Sequence, residues 1–416
     1  MRKYKKLEKY KKIYNKTVNL YFMIDFSIEP ELLQLRETVY KFAKEEIIPI
    51  QEKIQLELDA KEEFAWPIWE KFKEFGLLGF PFPEEYGGQG ASALATTLAW
   101  EALGLAGVDG GMVMSLSAHT ILCGVPIMVY GTEDQKRRYL TRLASGDMIG
   151  CFAITEPHGG SDSIHLKTTA VKKGDRYILN GSKIYITNAP IGDLFLVLAA
   201  QDKSLGSAGI TAFLVEKNFK GFKVSRKLEK MGNRLSPTGE IVFEDCEVPQ
   251  ENVLGQENMG FIQVVRTIFG WERSVMLAPS VGSAELLLQG ILAFANQRQA
   301  FGKPISYFQA IQKKIVDLKV SIEVARSYLY RIAWHIDRGE LPFIEASSFK
   351  LFWGDSIVNH VYEAIQTLGG FGYMREAKLE KGYRDVRLIT IGGGTSEVQR
   401  TIVARAILGL SGREIE

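Results

Sequence analysis

The chain has 416 residues, 46% of them apolar and 24% charged, more than one simple core organises and fitting for a globular protein of two or three domains. A formal net charge of +2 gives no electrostatic case for nucleic acid as a partner. Cys123, Cys151 and Cys246 are too far apart for a CxxC-type metal site or a disulfide framework, so no metal is expected and a reducing cytoplasm is the default compartment.

The start, MRKYKKLEKYKKIYNKTVNLYF, is Lys-rich, with Leu7, Tyr10 and Tyr14 at helical spacing. It lacks the apolar region and cleavage site of a signal peptide. As a basic amphipathic helix it would touch a membrane or an acidic partner. As a frayed extension it would do neither, and residues 1–25 are expected to be disordered. No apolar run is expected to reach membrane-spanning length.

Residues 26–148 read as an all-α N-terminal domain. EPELLQLRETVYKFAKEEIIPI carries an apolar face at 3.6-residue spacing, and TEDQKRRYLTRLASGD opens with a Thr132 to Gln135 capping box. Between them FPFPEEYGGQG is a loop by its proline and glycine content. Residues 149–260 change character. KTTAVKKGDRYILNGSKIYITNA, DLFLVLAA, GITAFLVEK and EIVFEDCEV are short β-branched or aromatic runs broken by turn residues, which predict a central antiparallel β domain, a sheet or barrel of about 110 residues. Residues 261–416 return to helix, with long stretches predicted at 261–297, about 308–337 and 342–368, a C-terminal domain resembling a four-helix bundle. The fold class is therefore α+β by domain.

Motifs gather at the junctions. CFAITEPHGGSDSIHLKTTA leaves a helix and enters a strand. QTLGGFGYMREAKLEKGYRD holds Gln366, Gly369, Gly370, Gly372, Glu376, Lys381 and Asp385 in step. These two stretches resemble the two signatures of the acyl-CoA dehydrogenase family. KIYITNAP, NQRQAFGKPISYFQAIQ and GGGTSEVQR also fall in the family's order, so the resemblance covers about residues 26–410. It implies a flavoprotein that holds FAD, desaturates an acyl thioester between Cα and Cβ, and assembles as a homotetramer or dimer. No GxGxxG follows a strand, which disfavours a Rossmann-type flavin or NAD site.

The resemblance also assigns residues. Thr155 and Ser161, with the backbone around Ile154, correspond to contacts at the flavin's pyrimidine edge, and Thr187 to a partner of the reactive ring nitrogen. Tyr185 stands where many members have Trp, and an aromatic there covers one flavin face. Taken alone, these threonines are ordinary strand residues. Arg298 and Phe301 correspond to pyrophosphate and adenosine contacts, with Gln309 close by; a guanidinium fork suits a diphosphate. Gln366, Gly369 and Gly370 let backbone approach the same cofactor tail, and Thr395 and Glu397 belong to a helix start that favours phosphate and polar groups. In relatives some of these contacts come from a neighbouring subunit.

The reaction needs a base for a weakly acidic α-proton, and a carboxylate in a dry pocket is the usual solution. Many members place a Glu where this chain has Gly393. Others, of isovaleryl and long-chain type, draw it from the helix that opens the last domain, and Glu272 and Arg273 align with that Glu-Arg pair. By itself Glu272 reads as an exposed helix Glu. With position 393 empty it is the expected base, while the Gly393 N–H is expected to donate to the thioester oxygen and stabilise enolate-like charge.

Arg273, Ile164 and His165 are the expected substrate-side residues. Ile164 and His165 replace the small pair that commonly follows GSD, and bulk there would crowd a CoA head group. Natural-product relatives act on aminoacyl groups, notably prolyl, held by phosphopantetheine on a carrier protein, and that substrate is favoured over a branched- or medium/long-chain acyl-CoA. Electron-transfer flavoprotein or oxygen is the expected acceptor. A flavin oxidase or monooxygenase on the same fold is the alternative activity, and a catalytically inert binding scaffold the alternative class.

Overall fold

The computed structural model describes residues 27–410; the Lys-rich extension of residues 1–25 lies outside them. Helices precede and follow a central sheet, as the change in periodicity predicts. The first helix of the described residues, Pro30–Phe42, passes through a π turn into Ile48–Lys61. The predicted capping box is present: Thr132 Oγ1 accepts the Gln135 N–H and the Gln135 side chain accepts the Thr132 N–H.

The flanking helices share one core, although the whole sheet separates them in sequence. Trp69, Trp100, Leu103 and Met112 from the first part pack with Val281, Leu318, Leu329, Phe349 and Trp353 from the last. The Ala93–Ala106 helix is buried on nearly every side. It lies so close to the Ala278–Gln297 helix that a Cβ at Gly282 would stand 2.0 Å from the Glu101 carbonyl oxygen. Glu101, itself fully buried, is satisfied by Arg326 at 2.9 Å and Tyr330 at 2.5 Å.

The strands are β1 (Gly150–Ala153), β2 (Thr169–Lys173), β3 (Arg176–Thr187), β4 (Leu194–Ala200), β5 (Ile210–Glu216), β6 (Phe222–Leu228), β7 (Thr238–Pro249) and β8 (Val253–Leu254). They form one sheet in the order β6-β7-β3-β2-β4-β5-β8, with β1 beside β4. The antiparallel expectation needs correction here. β1 runs parallel to β4, pairing Gly150 with Leu194 through Ala153 with Val197, and β2 meets β4 in parallel at Thr169 and Ala200. A hairpin cannot make these pairings; crossovers make them. Buried His119 anchors β1 to the helices: its Nδ1 accepts the Gly150 N–H at 3.0 Å, which leaves Nε2–H to donate to the Leu143 carbonyl. Burial pushes its pKa from 6.5 down to about 4, so the ring is neutral.

Two further expectations change. The stretch 261–297 is not one regular helix: a π turn, Phe261–Val265, leads into Arg266–Glu272, the chain breaks at Ser274 (φ −136°, ψ −84°), and Ala278–Gln297 follows. Phe261–Gln297 and Gly110–Tyr130 are also long and apolar enough to cross a membrane, contrary to the sequence expectation. The apolar window of Gly110–Tyr130 is 83% buried inside the protein, as suits a core helix. The predicted helices at 308–337 and 342–368 appear as Gln309–Asp337 and Phe343–Leu368.

A buried ionic cluster joins all three parts of the chain. Lys381 Nζ lies 2.8 Å from Asp109 and 2.6 Å from Asp385, and Arg384 pairs with Asp59 at 3.1 Å. From the loop between β6 and β7, the Asn233 N–H donates to Asp385 at 2.6 Å, and Lys230 caps the Asn233 and Ser236 carbonyls. Lys381 and Asp385 of the second sequence signature thus tie the parts together.

Candidate active site

Glu272 ends a helix two residues before the backbone breaks at Ser274. The segment is pinned by Ile268, Trp271 and Val275, which are buried in the seam between helices and sheet. Glu272 itself keeps some accessible surface, yet its Oε2 is closed to solvent and has no hydrogen-bond partner. Burial raises the carboxyl pKa, opposed by the charges of Arg273 and Lys350. An unsatisfied carboxylate oxygen in a dry wall is an acceptor in waiting.

The opposite wall is the turn 392–394, where Gly393 has φ +66° and Gly394 φ +91°. A Cβ built on Gly393 would stand 2.9 Å from the Glu272 carboxyl carbon and 3.0 Å from each oxygen. The carboxyl of residue 272 therefore fills the place where a side chain at 393 would begin. Two carbonyls of the turn are gripped. Gly393 O accepts from Arg273 Nε at 3.2 Å and Gln399 Nε2 at 3.0 Å; Gly394 O accepts from Gln399 Nε2 at 3.0 Å and Lys350 Nζ at 2.7 Å. No acceptor among the described residues engages the Gly393 N–H. Thr395 caps the following helix, Ser396–Leu408, by accepting the Val398 N–H, and Glu397 is exposed in its first turn.

Arg273 departs from expectation. Its guanidinium lies 3.8 Å from the Phe269 ring centre and 5.0 Å from that of Phe343, and it donates to Ser347 Oγ as well as Gly393 O. At 1% exposure it grips the glycine turn and does not face an open substrate path. Burial lowers its pKa to about 10, countered by Glu272, so it stays charged.

On the sheet, the Ile184 N–H donates to the Thr155 carbonyl at 2.9 Å, which lays the Ile154–Thr155 segment beside the end of β3. There the β3–β7 register shifts between Lys183 and Ile186, and Tyr185 takes φ +62° with 67% of its surface exposed. A bulge re-aims a side chain in this way. Tyr185 is thrown outward, while Thr155 and Thr187 remain half-buried beside it. Ile154 and Phe152 pack into the same seam as Phe269 and Met276, so this patch adjoins the Glu272 segment.

Ser161, Ile164 and His165 sit on the exposed loop that follows. His165 Nδ1 lies 2.9 Å from Asp162, which holds the Asp162 carboxyl below its ordinary pKa. The loop's base is fixed by buried Glu156, which accepts the Lys167 and Thr168 N–H groups and pairs with Lys183 Nζ at 2.7 Å.

Arg298, Phe301, Gln309, Gln366, Gly369 and Gly370 form a separate group. Phe294 stacks on Phe371 with ring centres 6.1 Å apart, which brings the Arg298–Phe301 hairpin beside the Gly369–Gly370 turn. This group lies at the far end of the 20-residue Ala278–Gln297 helix, itself about 30 Å long, from the Glu272 segment. The described residues offer Arg298 no carboxylate partner, Phe301 is 94% exposed, and a Cβ on Gly369 or Gly370 would meet nothing within 4 Å. An unneutralised guanidinium, a bare ring and open backbone fit a dinucleotide's phosphates and adenine; the Thr155, Tyr185 and Thr187 patch fits a flat ring with polar edges.

Lys350, Gln399, Glu156 and Lys183 escaped sequence reasoning. Two signals were present. Lys350 interrupts the buried helix positions Ala346, Phe349 and Trp353, and Lys183 falls on the inward parity of β3 with Tyr177 and Leu179. A lysine at a core position implies a buried acceptor.

Comparison with known proteins agrees with this geometry. Residues 29–147, 151–246 and 258–408 match the N-terminal, middle and C-terminal domain models described as acyl-CoA dehydrogenase. An acyl-CoA dehydrogenase of Bacillus subtilis (strain 168) is 39% identical over 382 residues, covering 92% of this chain and 99% of the relative. The crystal structure of the prolyl acyl carrier protein oxidase AnaB superposes with a TM-score of 0.88 at 38% identity, covering 92% of this chain and 100% of that one. PigA with FAD and proline gives 0.88 at 34% identity, covering 94% and 100%.

Proposed function

The chain belongs to the acyl-CoA dehydrogenase family, FAD-dependent oxidoreductases acting on the CH–CH bonds of acyl thioesters, and from that premise we propose that Glu272 is the base that removes the α-proton. The observation that carries this reading is the Glu272 carboxyl lying 2.9–3.0 Å from the point where a side chain at 393 would begin. One site has two possible donors of a carboxylate, and this chain uses the helix. Bound FAD would supply the acceptor for the hydride leaving Cβ. Thr155 and Thr187 would present hydroxyls to its polar edge and Tyr185 would cover one face. The free Gly393 N–H polarises the thioester oxygen, and the dry wall around Glu272 keeps water from competing for the proton.

For the acyl group, we favour an aminoacyl unit, prolyl foremost, on a carrier protein. Support comes from Ile164 and His165 on the exposed loop and from the similarity to AnaB and PigA. The similarity to an acyl-CoA dehydrogenase supports a CoA thioester as the second reading, for which we take a branched- or medium/long-chain acyl group. Anaerobic mixing separates them. Prolyl-carrier thioester is expected to bleach the flavin absorbance at least about tenfold faster than prolyl-CoA, because the carrier surface adds remote binding energy. Equal rates remove the carrier reading.

We further propose a homotetramer. The cofactor-tail residues lie at the other end of the Ala278–Gln297 helix from the Glu272 segment, an arrangement in which one copy would complete the FAD site of another. Exposed Val316, Val320 and Val324, spaced at four residues on Gln309–Asp337, supply an apolar stripe for such contact. Light scattering that returns a monomer with full FAD content removes this proposal. Electron-transfer flavoprotein or oxygen as acceptor, and a cytoplasmic location, complete it. Oxygen consumption during turnover distinguishes the acceptors, and cell fractionation tests the location.

A further inference from the structure

We propose that Lys350 is a positioning residue for proton abstraction: it clamps the glycine turn beside Glu272 and, with Arg273, places positive charge near that carboxyl. This rests on the reading of Glu272 as the base. Lys350 projects from the Phe343–Leu368 helix and is 3% exposed, with no carboxylate in ion-pair contact among the described residues. Its Nζ donates to Ile389 O at 2.8 Å and Gly394 O at 2.7 Å, so it ties down both ends of the turn that carries Gly393.

Holding carbonyls does not by itself require a cation. Gln399, neutral and fully buried, already holds two carbonyls of the same turn. An ammonium in this position costs desolvation that a neutral donor avoids, so its charge has to be offset by something else nearby. Two charged groups act on Glu272: Arg273 from its own segment and Lys350 from the facing helix. The glycine turn brings no titratable group, and the Ser396–Leu408 helix presents neutral Gln399. Lys350 feels Glu272, Arg273 and, on its own helix, Asp355, which pairs with Arg400.

The charge has a use. Burial drives the Glu272 carboxyl toward its protonated form, and a protonated carboxyl cannot accept the α-proton. Arg273 and Lys350 oppose that drift. Burial brings the Lys350 amine down to about 8, still largely charged at neutral pH. Arg273 acts from the segment of Glu272 itself, through Gly393 O and Ser347, whereas Lys350 acts from the facing helix and holds the turn at Ile389 O and Gly394 O.

The test uses the FAD-loaded enzyme and three variants. Lys350→Gln keeps an amide donor near the two carbonyls and loses the charge; Lys350→Arg keeps the charge. The Glu272 titration is read without substrate from its infrared carboxyl band, with Glu272→Gln as the blank. In Lys350→Gln the midpoint should move up, and the acid limb of the flavin-reduction profile should move with it. The rate at neutral pH should fall about a hundredfold, the effect expected of a misplaced catalytic group. Lys350→Arg should return the midpoint toward the wild-type value. An unchanged midpoint in folded Lys350→Gln overturns the inference. Should that variant not fold, Glu272→Gln provides the reciprocal measurement. Coupling acts equally on both partners, so loss of the Glu272 charge should lower the Lys350 midpoint, read from a 13C-labelled lysine ε-carbon. No change there overturns the inference equally. Wild-type flavin reduction by Glu272→Gln would instead remove the base assignment, while an inactive Glu272→Gln with an unshifted midpoint in Lys350→Gln removes the Lys350 role alone.

Discussion

Glu272→Gln is expected to slow flavin reduction by saturating substrate on the order of a thousandfold or more, the upper range for loss of a general base. The amide keeps the size and polarity of the carboxyl but has no proton affinity, so FAD content and substrate docking should persist. The same variant should be more heat-stable than wild type at neutral pH. Because burial raises the Glu272 pKa, the folded protein holds that proton more tightly than the unfolded chain does. Stability from this group is therefore present at low pH and lost as pH rises through the folded pKa. Removing the carboxylate removes that loss. Anaerobic stopped-flow and a thermal melt on one preparation test both halves; reduction at the wild-type rate would falsify the assignment. Moving the carboxylate to 393 requires clearing 272 first, since a Cβ at 393 would press on the Glu272 carboxyl and φ +66° costs an L-residue roughly 1 kcal/mol. Glu272→Gly with Gly393→Glu is the appropriate pair, and recovery is expected only for small acyl groups.

Lys183→Met should destabilise the protein by about 3–5 kcal/mol, the usual result of removing one member of a buried ion pair. Lys183 is fully buried and lies 2.7 Å from Glu156, whose side chain is 2% exposed. Burial favours the neutral Glu156, but Lys183 and the Lys167 and Thr168 N–H groups outweigh it and hold the carboxyl down to about 2. A depressed carboxyl stabilises the fold above its unfolded pKa, and that contribution is lost as pH falls from about 4.5 toward about 2. The gap between wild type and Lys183→Met should therefore narrow across that interval. The double variant Glu156→Gln with Lys183→Met should recover much of the loss, because no charge is left unpaired. Lys183 also donates to Ile154 O at 3.0 Å, so FAD retention should fall in the single variant. Urea unfolding at neutral and acid pH with flavin quantitation decides the matter; a gap that stays constant with pH would show that Glu156 is not the charge left stranded.

The order of helices, sheet and helices was legible because hydrophobic period changes from 3.6 to 2 and back. The candidate base was legible as a substitution of position, a missing side chain at 393 with a surplus one at 272, and the structure places the two side by side. The parallel strand β1 was not legible. It is only four residues long, GCFA, and its partner begins at Leu194, beyond a hairpin and a loop. Nor was the break at Ser274, since Trp271, Val275 and Met276 continue an apolar pattern across it. Gln399 acts through backbone carbonyls, which carry no residue-type signature, and Lys350 showed only as a lysine among buried helix positions, with no sign of which carbonyls it holds. Arg273 was assigned from its neighbour in sequence, while its role is set by Phe343 and Ser347 far along the chain.

The ionic cluster around Lys381 bears on how such a chain can be recombined. Asp59 and Asp109 come from the first helical part, Asn233 and Lys230 from the sheet, and Lys381, Arg384 and Asp385 from the last. A crossover placed between sheet and helices, where sequence boundaries look clean, would pair one parent's aspartates with another parent's lysine and loop. Chimaeras that exchange the sheet should therefore inherit the loop around 230–236 from the same parent as the residues at 59, 109 and 381–385. The unit of exchange is set by that junction of charges and not by the domain borders.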